Sequence, residues 1–185
     1  VGRLTIEEDI DTVKKLTSRS KIRFDANRAW TLKDALLFYE ATSHLNIDYI
    51  EEPLADISQL ETFYKMTGCP IALDETINID KMLEFDFSFI STFVIKPSRF
   101  GSITELRKLK KKWPNKQFIF SSSFETEVGL LQIAKLAHEF SPYSEHGLNT
   151  LCFFKKHLTN HQIITNNVLN YPVKITLKEC LPLHK

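Results

Sequence analysis

The sequence predicts an α/β fold: a parallel sheet rolled into a TIM-type (β/α) barrel, of which this chain supplies about six of the eight strands. Three observations predict it. Short apolar runs alternate with stretches of helical periodicity. The residue that marks the end of each run falls at positions 25, 51, 74, 96, 121 and 147, spacings of 26, 23, 22, 25 and 26 residues, and is polar or charged at all but the sixth, Gly147. The first three of those residues are all carboxylates. A strand, a loop and a crossover helix together take roughly 30 residues or somewhat fewer, and their even alternation argues for a helix-covered parallel sheet. Polar residues at successive strand ends favour a barrel, whose rim collects functional groups from several strands. A doubly wound open sheet also gathers ligands at strand C-termini and is the alternative. No G-x-G-x-x-G or G-x-x-x-x-G-K-[ST] string occurs, so a phosphate-cradling open sheet lacks its usual mark.

In chain order, Leu4 to Ser18 reads as a helix with acids early and lysines late, as the macrodipole favours. Ile22-Arg23-Phe24 is the first strand and runs into Asp25. Thr31 and Asp34 form a capping box for a helix carrying Leu32, Ala35, Leu36 and Tyr39. Tyr49-Ile50 leads into Glu51-Glu52-Pro53, and Leu60, Phe63 and Tyr64 mark the next helix. Ile71-Ala72-Leu73 leads into Asp74-Glu75, and Phe93-Val94-Ile95 into Lys96-Pro97. Ser102 with Glu105 caps a helix of Ile103, Leu106 and Leu109. Phe118-Ile119-Phe120 runs into Ser121-Ser122-Ser123, followed by helical spacing from Val128 to Ala137. The sixth strand, around Gly147-Leu148-Asn149-Thr150, has the weakest pattern. Residues 1–150 are expected to form the partial barrel, and residues 151–185, with the extended run Tyr171–Leu177, a closing segment packed outside it.

Composition narrows the function classes. The chain has 185 residues, 43% hydrophobic and 25% charged, and a formal net charge of +1. That balance gives no footprint for nucleic acid or an anionic membrane. No apolar run approaches the roughly 20 residues of a membrane-spanning helix, and no signal peptide opens the chain. Cys69, Cys152 and Cys180 are odd in number and form no C-x-x-C pair, so they read as buried thiols of a reducing cytoplasm.

Asp25, Glu51 and Asp74 carry the most chemistry. Adjacent strands lie about 4.8 Å apart, so carboxylates at three successive strand ends can converge. Three converging carboxylates repel one another and do not all stay ionised without a cation. An all-oxygen set suits a hard ion, and Mg²⁺ leaves coordination positions for substrate oxygens. Each acid alone would more often be a solvated loop residue or a helix cap. The recurrence is what favours a metal.

Lys96 follows an apolar run, where a lysine is costly unless it finds acidic partners or does work. A salt-bridged or snorkelling lysine is its plainer reading. Ser121-Ser122-Ser123 lacks the G-x-S-x-G elbow, so a covalent nucleophile is not expected, and small hydroxyls suit a substrate carboxylate better. Gly147 either lets backbone approach a ligand or is a turn glycine. The six histidines show no H-E-x-x-H spacing and read as surface or structural.

Together, Asp25-Ala26-Asn27-Arg28-Ala29-Trp30, Ile50-Glu51-Glu52-Pro53, Leu73-Asp74-Glu75, Val94-Ile95-Lys96-Pro97, Ser121-Ser122-Ser123-Phe124-Glu125-Thr126 and Gly147-Leu148-Asn149-Thr150 resemble the o-succinylbenzoate synthase family of the enolase superfamily. The likeness runs from Val1 to about Thr150. It implies a Mg²⁺-dependent syn-dehydration through an enediolate in menaquinone biosynthesis, with Mn²⁺ a possible substitute and a small-molecule substrate. By the same resemblance Asp25, Glu51 and Asp74 match metal ligands. Lys96 matches the lysine that steadies the enediolate rather than taking the proton. Arg23, Asn27, Ser121, Ser123 and Gly147 match substrate-binding positions, the last three around the succinyl carboxylate. Family members place a Lys-x-Lys strand directly before a Val-Gly pair, and this chain opens on Val1-Gly2. The resemblance therefore implies that the base lysine, two strands and a capping domain are missing, and that a separate N-terminal segment of the same enzyme is a possible partner. An N-acylamino-acid racemase of the same superfamily and a non-catalytic remnant are the rival readings.

Overall fold

A computed structural model describes residues 1–17, 20–77, 86–156, 158–159, 163–166 and 168–169. The chain divides into two compact units, one of Val1–Val94 with Arg107–Gln117, the other of Ile95–Leu106 with the chain from Phe118 onward. The elements are α1 (Ile6–Val13), β1 (Ile22–Asp25), α2 (Leu32–Thr42), β2 (Ile47–Glu51), α3 (Leu60–Thr67), β3 (Ile71–Leu73) and β4 (Thr92–Ile95). They continue with α4 (Pro97–Phe100), α5 (Ile103–Lys112), β5 (Gln117–Phe120), α6 (Glu127–Phe140) and a short pair, β6 (Ile164–Thr165) and β7 (Val168–Leu169).

Strands β1 to β5 share one sheet in strictly sequential order, while β6 and β7 pair separately and antiparallel. β1–β2, β2–β3 and β3–β4 are all parallel. A doubly wound sheet reverses its strand order at a switch point, and this one does not. Among the described residues the sixth expected strand is a single parallel bridge, Ser121 to Gly147, and no longer strand forms there. The extended run at Tyr171–Leu177 lies outside the described residues, as does Cys180.

Three helices begin as their sequences dictate. Thr5 with Glu8 and Thr31 with Asp34 form reciprocal capping boxes. Ser102 and Glu105 do the same ahead of α5, with the Ser102 amide 2.8 Å from Glu105 Oε2. Each box satisfies two amides that the first helical turn leaves without partners. α1 is shorter than its sequence pattern, ending at Val13, so the expected lysines fall beyond its last turn. α3 ends on Gly68 at φ +66°, a left-handed cap that glycine reaches without steric cost.

In the first unit the core is aromatic. Phe38 of α2 is fully buried, edge-on to Phe24 of β1 at 5.1 Å between ring centres and tilted against Trp30 at 4.4 Å. β3 and β4 are buried throughout, as parallel strands covered on both faces are. In the second unit, Phe120 of β5 packs against Phe140 of α6 and the His146 ring. The cysteine reading needs one correction: Cys69 is buried, its thiol pushed up to about 12 by burial, but Cys152 is exposed. Cys152 follows the bridge at Gly147 in a 3-10 turn, Leu151–Phe153, which buries Leu151 and leaves its own next residue outside. No helix of the described residues is long and apolar enough to cross a membrane.

Candidate functional site

In the first unit the parallel register sets the geometry. Asp25 is the register partner of Glu51, and Glu51 the partner of Ala72. Register partners in parallel strands project to the same side of the sheet, so Asp25 and Glu51 share a face, and Asp74 follows Ala72 by two residues. The loop after β1 is fastened to the end of β2. The Ala26 amide donates to the Glu51 carbonyl at 2.9 Å and the Arg28 amide to the Glu52 carbonyl at 2.8 Å. Asn27 and Arg28 both have positive φ, at 52° and 59°, a conformation the surrounding hydrogen bonds must hold for a residue with a side chain. The Asn27 amide donates to Asp25 Oδ1 at 2.9 Å, which places Asn27 directly beside the first acid.

The donor set is three carboxylates, which suits a hard divalent ion. The backbone brings their strand ends side by side, but the side chains are not gathered into a cage: among the described residues no group of three or more His, Cys, Asp or Glu stands ready to hold a metal.

Arg23 lies one alternation before Asp25. Its Nε sits 2.8 Å from Asp48 Oδ2, and its guanidinium stacks 5.1 Å above the Tyr49 ring. Burial works against the Asp48 charge, but Arg23 and then Lys21 outweigh it and hold the carboxyl below its ordinary value. Burial likewise pushes the Tyr49 phenol upward, keeping it neutral.

Two residues that the sequence reading passed over organise this unit. Glu52 is only 2% exposed and reaches the turn after β3. Its Oε1 accepts from the Asp74 and Thr76 amides, each at 2.8 Å, and its Oε2 from the Thr76 hydroxyl at 2.7 Å. Burial raises the Glu52 carboxyl above its ordinary value, with the Thr76 and Asp74 donors opposing. Asp9 of α1, also buried, accepts from the Gly2 amide at 2.7 Å and the Trp30 indole at 3.1 Å. That pins the chain at Gly2 against Ala26, where a β-carbon would lie 1.9 Å from the Ala26 carbonyl oxygen. Nothing local in the sequence points to either set of contacts, whose partners lie more than twenty residues away or in backbone amides.

In the second unit, Lys96 is half-buried and precedes α4, its carbonyl accepting from the Arg99 and Phe100 amides. The serine run closes on Gly147. The Gly147 amide donates to the Phe120 carbonyl and the Ser122 amide to the Gly147 carbonyl, and a β-carbon on Gly147 would lie 3.2 Å from Ser121 Oγ. Glycine here gives Ser121 its room. Among the described residues the Ser123 hydroxyl is buried without a hydrogen-bond partner, whereas Ser122 is committed to Glu125 at 2.6 Å and to Thr150 at 2.7 Å. Glu125, also missed from sequence, gathers Ser98 Oγ at 2.5 Å and the Ser123 amide at 2.6 Å as well. Burial opposes its charge, but these donors prevail and hold it below its ordinary value. Phe124, between them, takes φ +65°.

Residues 1–111 match the enolase C-terminal domain-like family. An o-succinylbenzoate synthase from Vibrio cholerae (strain M66-2) is 39% identical over 147 residues, 74% of this chain and 44% of that protein. One from Pasteurella multocida (strain Pm70) is 35% identical over 139 residues, 70% of this chain and 41% of that protein. The chain thus spans less than half the length of these relatives. Among solved structures, an o-succinylbenzoate synthase from Thermosynechococcus elongatus BP-1, complexed with Mg in the active site, superposes with a TM-score of 0.68 at 25% identity, covering 81% of this chain and 51% of that one. An L-Ala-D/L-Glu epimerase from Bacillus subtilis gives 0.79 at 23% identity, covering 90% and 50%, a likeness of fold.

Proposed function

The chain belongs to the enolase C-terminal domain-like family, and on that premise we propose that it forms the cation-binding portion of an o-succinylbenzoate synthase. The reaction is the loss of water from 2-succinyl-6-hydroxy-2,4-cyclohexadiene-1-carboxylate to give o-succinylbenzoate, in the cytoplasm, as a step of menaquinone biosynthesis. Asp25, Glu51 and Asp74 would hold Mg²⁺, with Mn²⁺ as a substitute. The ion, when bound, offsets the negative charge that develops on the substrate carboxylate as the neighbouring proton leaves.

The chain's own residues divide the remaining work. Lys96 supplies a second positive charge to the developing anion and does not take the proton. Ser121 and Ser123 offer hydroxyls to the succinyl carboxylate, and Gly147 leaves the space in which it lies. Ser122 is spent on Glu125 and Thr150 and so orders the run without touching substrate. Arg23 and Asn27 flank Asp25 and orient the substrate there.

The observation that supports this reading most is the register that sets Asp25 beside Glu51, with Asp74 closing the neighbouring strand. The test is to titrate the purified chain with Mn²⁺ and to mix it with freshly made substrate with and without Mg²⁺. One cation site, weakened in D25N, E51Q and D74N alike, is expected, with slow Mg²⁺-dependent loss of substrate absorbance. Absence of cation binding, or binding indifferent to all three substitutions, would overturn it. Racemisation of N-acylamino acids without dehydration would replace it with the racemase reading.

A further inference from the structure

We infer that Glu52 is the positioning residue that sets Asp74 for cation binding, an inference that rests on the metal reading above. Glu51 closes β2 and Glu52 is the first residue beyond it, where the left-handed turn of the backbone sends the two side chains to opposite roles. Glu51 faces the side it shares with Asp25, while Glu52 turns inward and is sealed from solvent.

Its carboxylate is fully engaged by the turn after β3. Two amides, Asp74 and Thr76, converge on one oxygen, and the Thr76 hydroxyl donates to the other. Three donors aimed at one buried group form a site shaped for an anion. The Glu52 backbone is tied as tightly, its amide to the Ala72 carbonyl at 2.9 Å and its carbonyl to the Arg28 amide at 2.8 Å. Its φ of 45° lies in the left-handed region, which a glutamate occupies only when its surroundings hold it there. Through these contacts the Glu51-Glu52 dipeptide fixes all three acids: Ala26 fastens the Asp25 loop to Glu51, Glu51 stands between, and Glu52 holds the Asp74 backbone.

The test combines two readouts on the 185-residue chain: exchange of the Asp74 and Thr76 amides, followed by NMR in chelator, and Mn²⁺ affinity by electron paramagnetic resonance. E52A is expected to speed exchange at both amides and to weaken Mn²⁺ binding by about 10- to 100-fold, as loss of a group that orients a ligand does. E52Q keeps an acceptor for the two amides and should restore both properties nearly to wild type. E51Q should weaken Mn²⁺ while leaving the Asp74 and Thr76 amides protected, which separates ligand from positioner. Should E52A fail to fold, T76V removes a single donor and must still speed exchange at Thr76.

Unchanged exchange in these variants overturns the clamp. Faster exchange with unchanged Mn²⁺ affinity overturns its link to the cation while sparing the metal reading. No Mn²⁺ binding by the wild-type chain overturns the metal reading itself, and the inference with it.

Discussion

Asp25 and Glu51 are register partners on adjacent parallel strands, so two negative charges sit side by side on one face of the sheet. Like charges directly opposite one another across strands destabilise a sheet by up to about 1 kcal/mol. The pair is therefore a cost that a bound cation turns to use. In chelator, E51Q should raise the unfolding midpoint slightly, by a few tenths to about 1 kcal/mol in stability. With Mg²⁺ added the order should reverse, because the wild type alone gains fully from binding. Thermal unfolding with and without Mg²⁺ checks both halves.

Gly2 and Asp9 make a second prediction. At φ +74° with the Ala26 carbonyl in the path of any β-carbon, Gly2 admits no side chain. G2A should destabilise the first unit by more than the roughly 1 kcal/mol that an unfavourable backbone conformation alone costs. D9A strands the Trp30 indole and the Gly2 amide, and leaving buried donors unsatisfied costs about 1–3 kcal/mol. Urea unfolding followed by Trp30 fluorescence measures both.

Glu125 should contribute to acid sensitivity, alongside Asp48, which is also held below its ordinary value. The Glu125 carboxyl is held below the ordinary glutamate value of 4.5 in the folded chain. A depressed acid binds fewer protons folded than unfolded, so its contribution is complete above that value and is lost as the pH falls through the folded one. E125Q should accordingly lower stability at neutral pH and flatten the decline below 4.5. Urea midpoints collected between pH 3 and pH 7 would show the two curves drawing together at the acid end.

Phe38 offers a plain packing test. Wedged between Phe24 and Trp30 and wholly buried, it should cost about 3–5 kcal/mol on conversion to alanine. F38L, which keeps most of the volume, should cost markedly less. Equal losses in the two variants would mean that the pocket collapses around either one.

Much of this fold was legible because parallel strands announce themselves as apolar runs with a polar stop. Ile71-Ala72-Leu73 before Asp74 and Phe93-Val94-Ile95 before Lys96 fall where strands β3 and β4 form. Caps were legible too, since Thr31 with Asp34 and Ser102 with Glu105 act within one turn. The sixth strand is reduced to a single bridge at Gly147 among the described residues, since a glycine and an asparagine lack the β-branched bulk that sustains a ladder. Of the candidate site, the sequence singles out three acids because Asp25 and Glu51 close strands and Asp74 follows one. It does not single out Glu52, Glu125 and Asp9, because their partners lie far off in sequence or in backbone amides that no residue letter reveals. Cys152 was misread because thiols are usually buried, and nothing local distinguishes the one that is not.

The fastening of Ala26 to Glu51 and of Arg28 to Glu52 has an evolutionary corollary. Two loops that share hydrogen bonds cannot change length separately, since an insertion in either would break the pairing in both. Homologous genes should therefore tolerate indels in the outer helical connections but keep the distance from Asp25 to Trp30 invariant, making that short string a ruler for tracing descent.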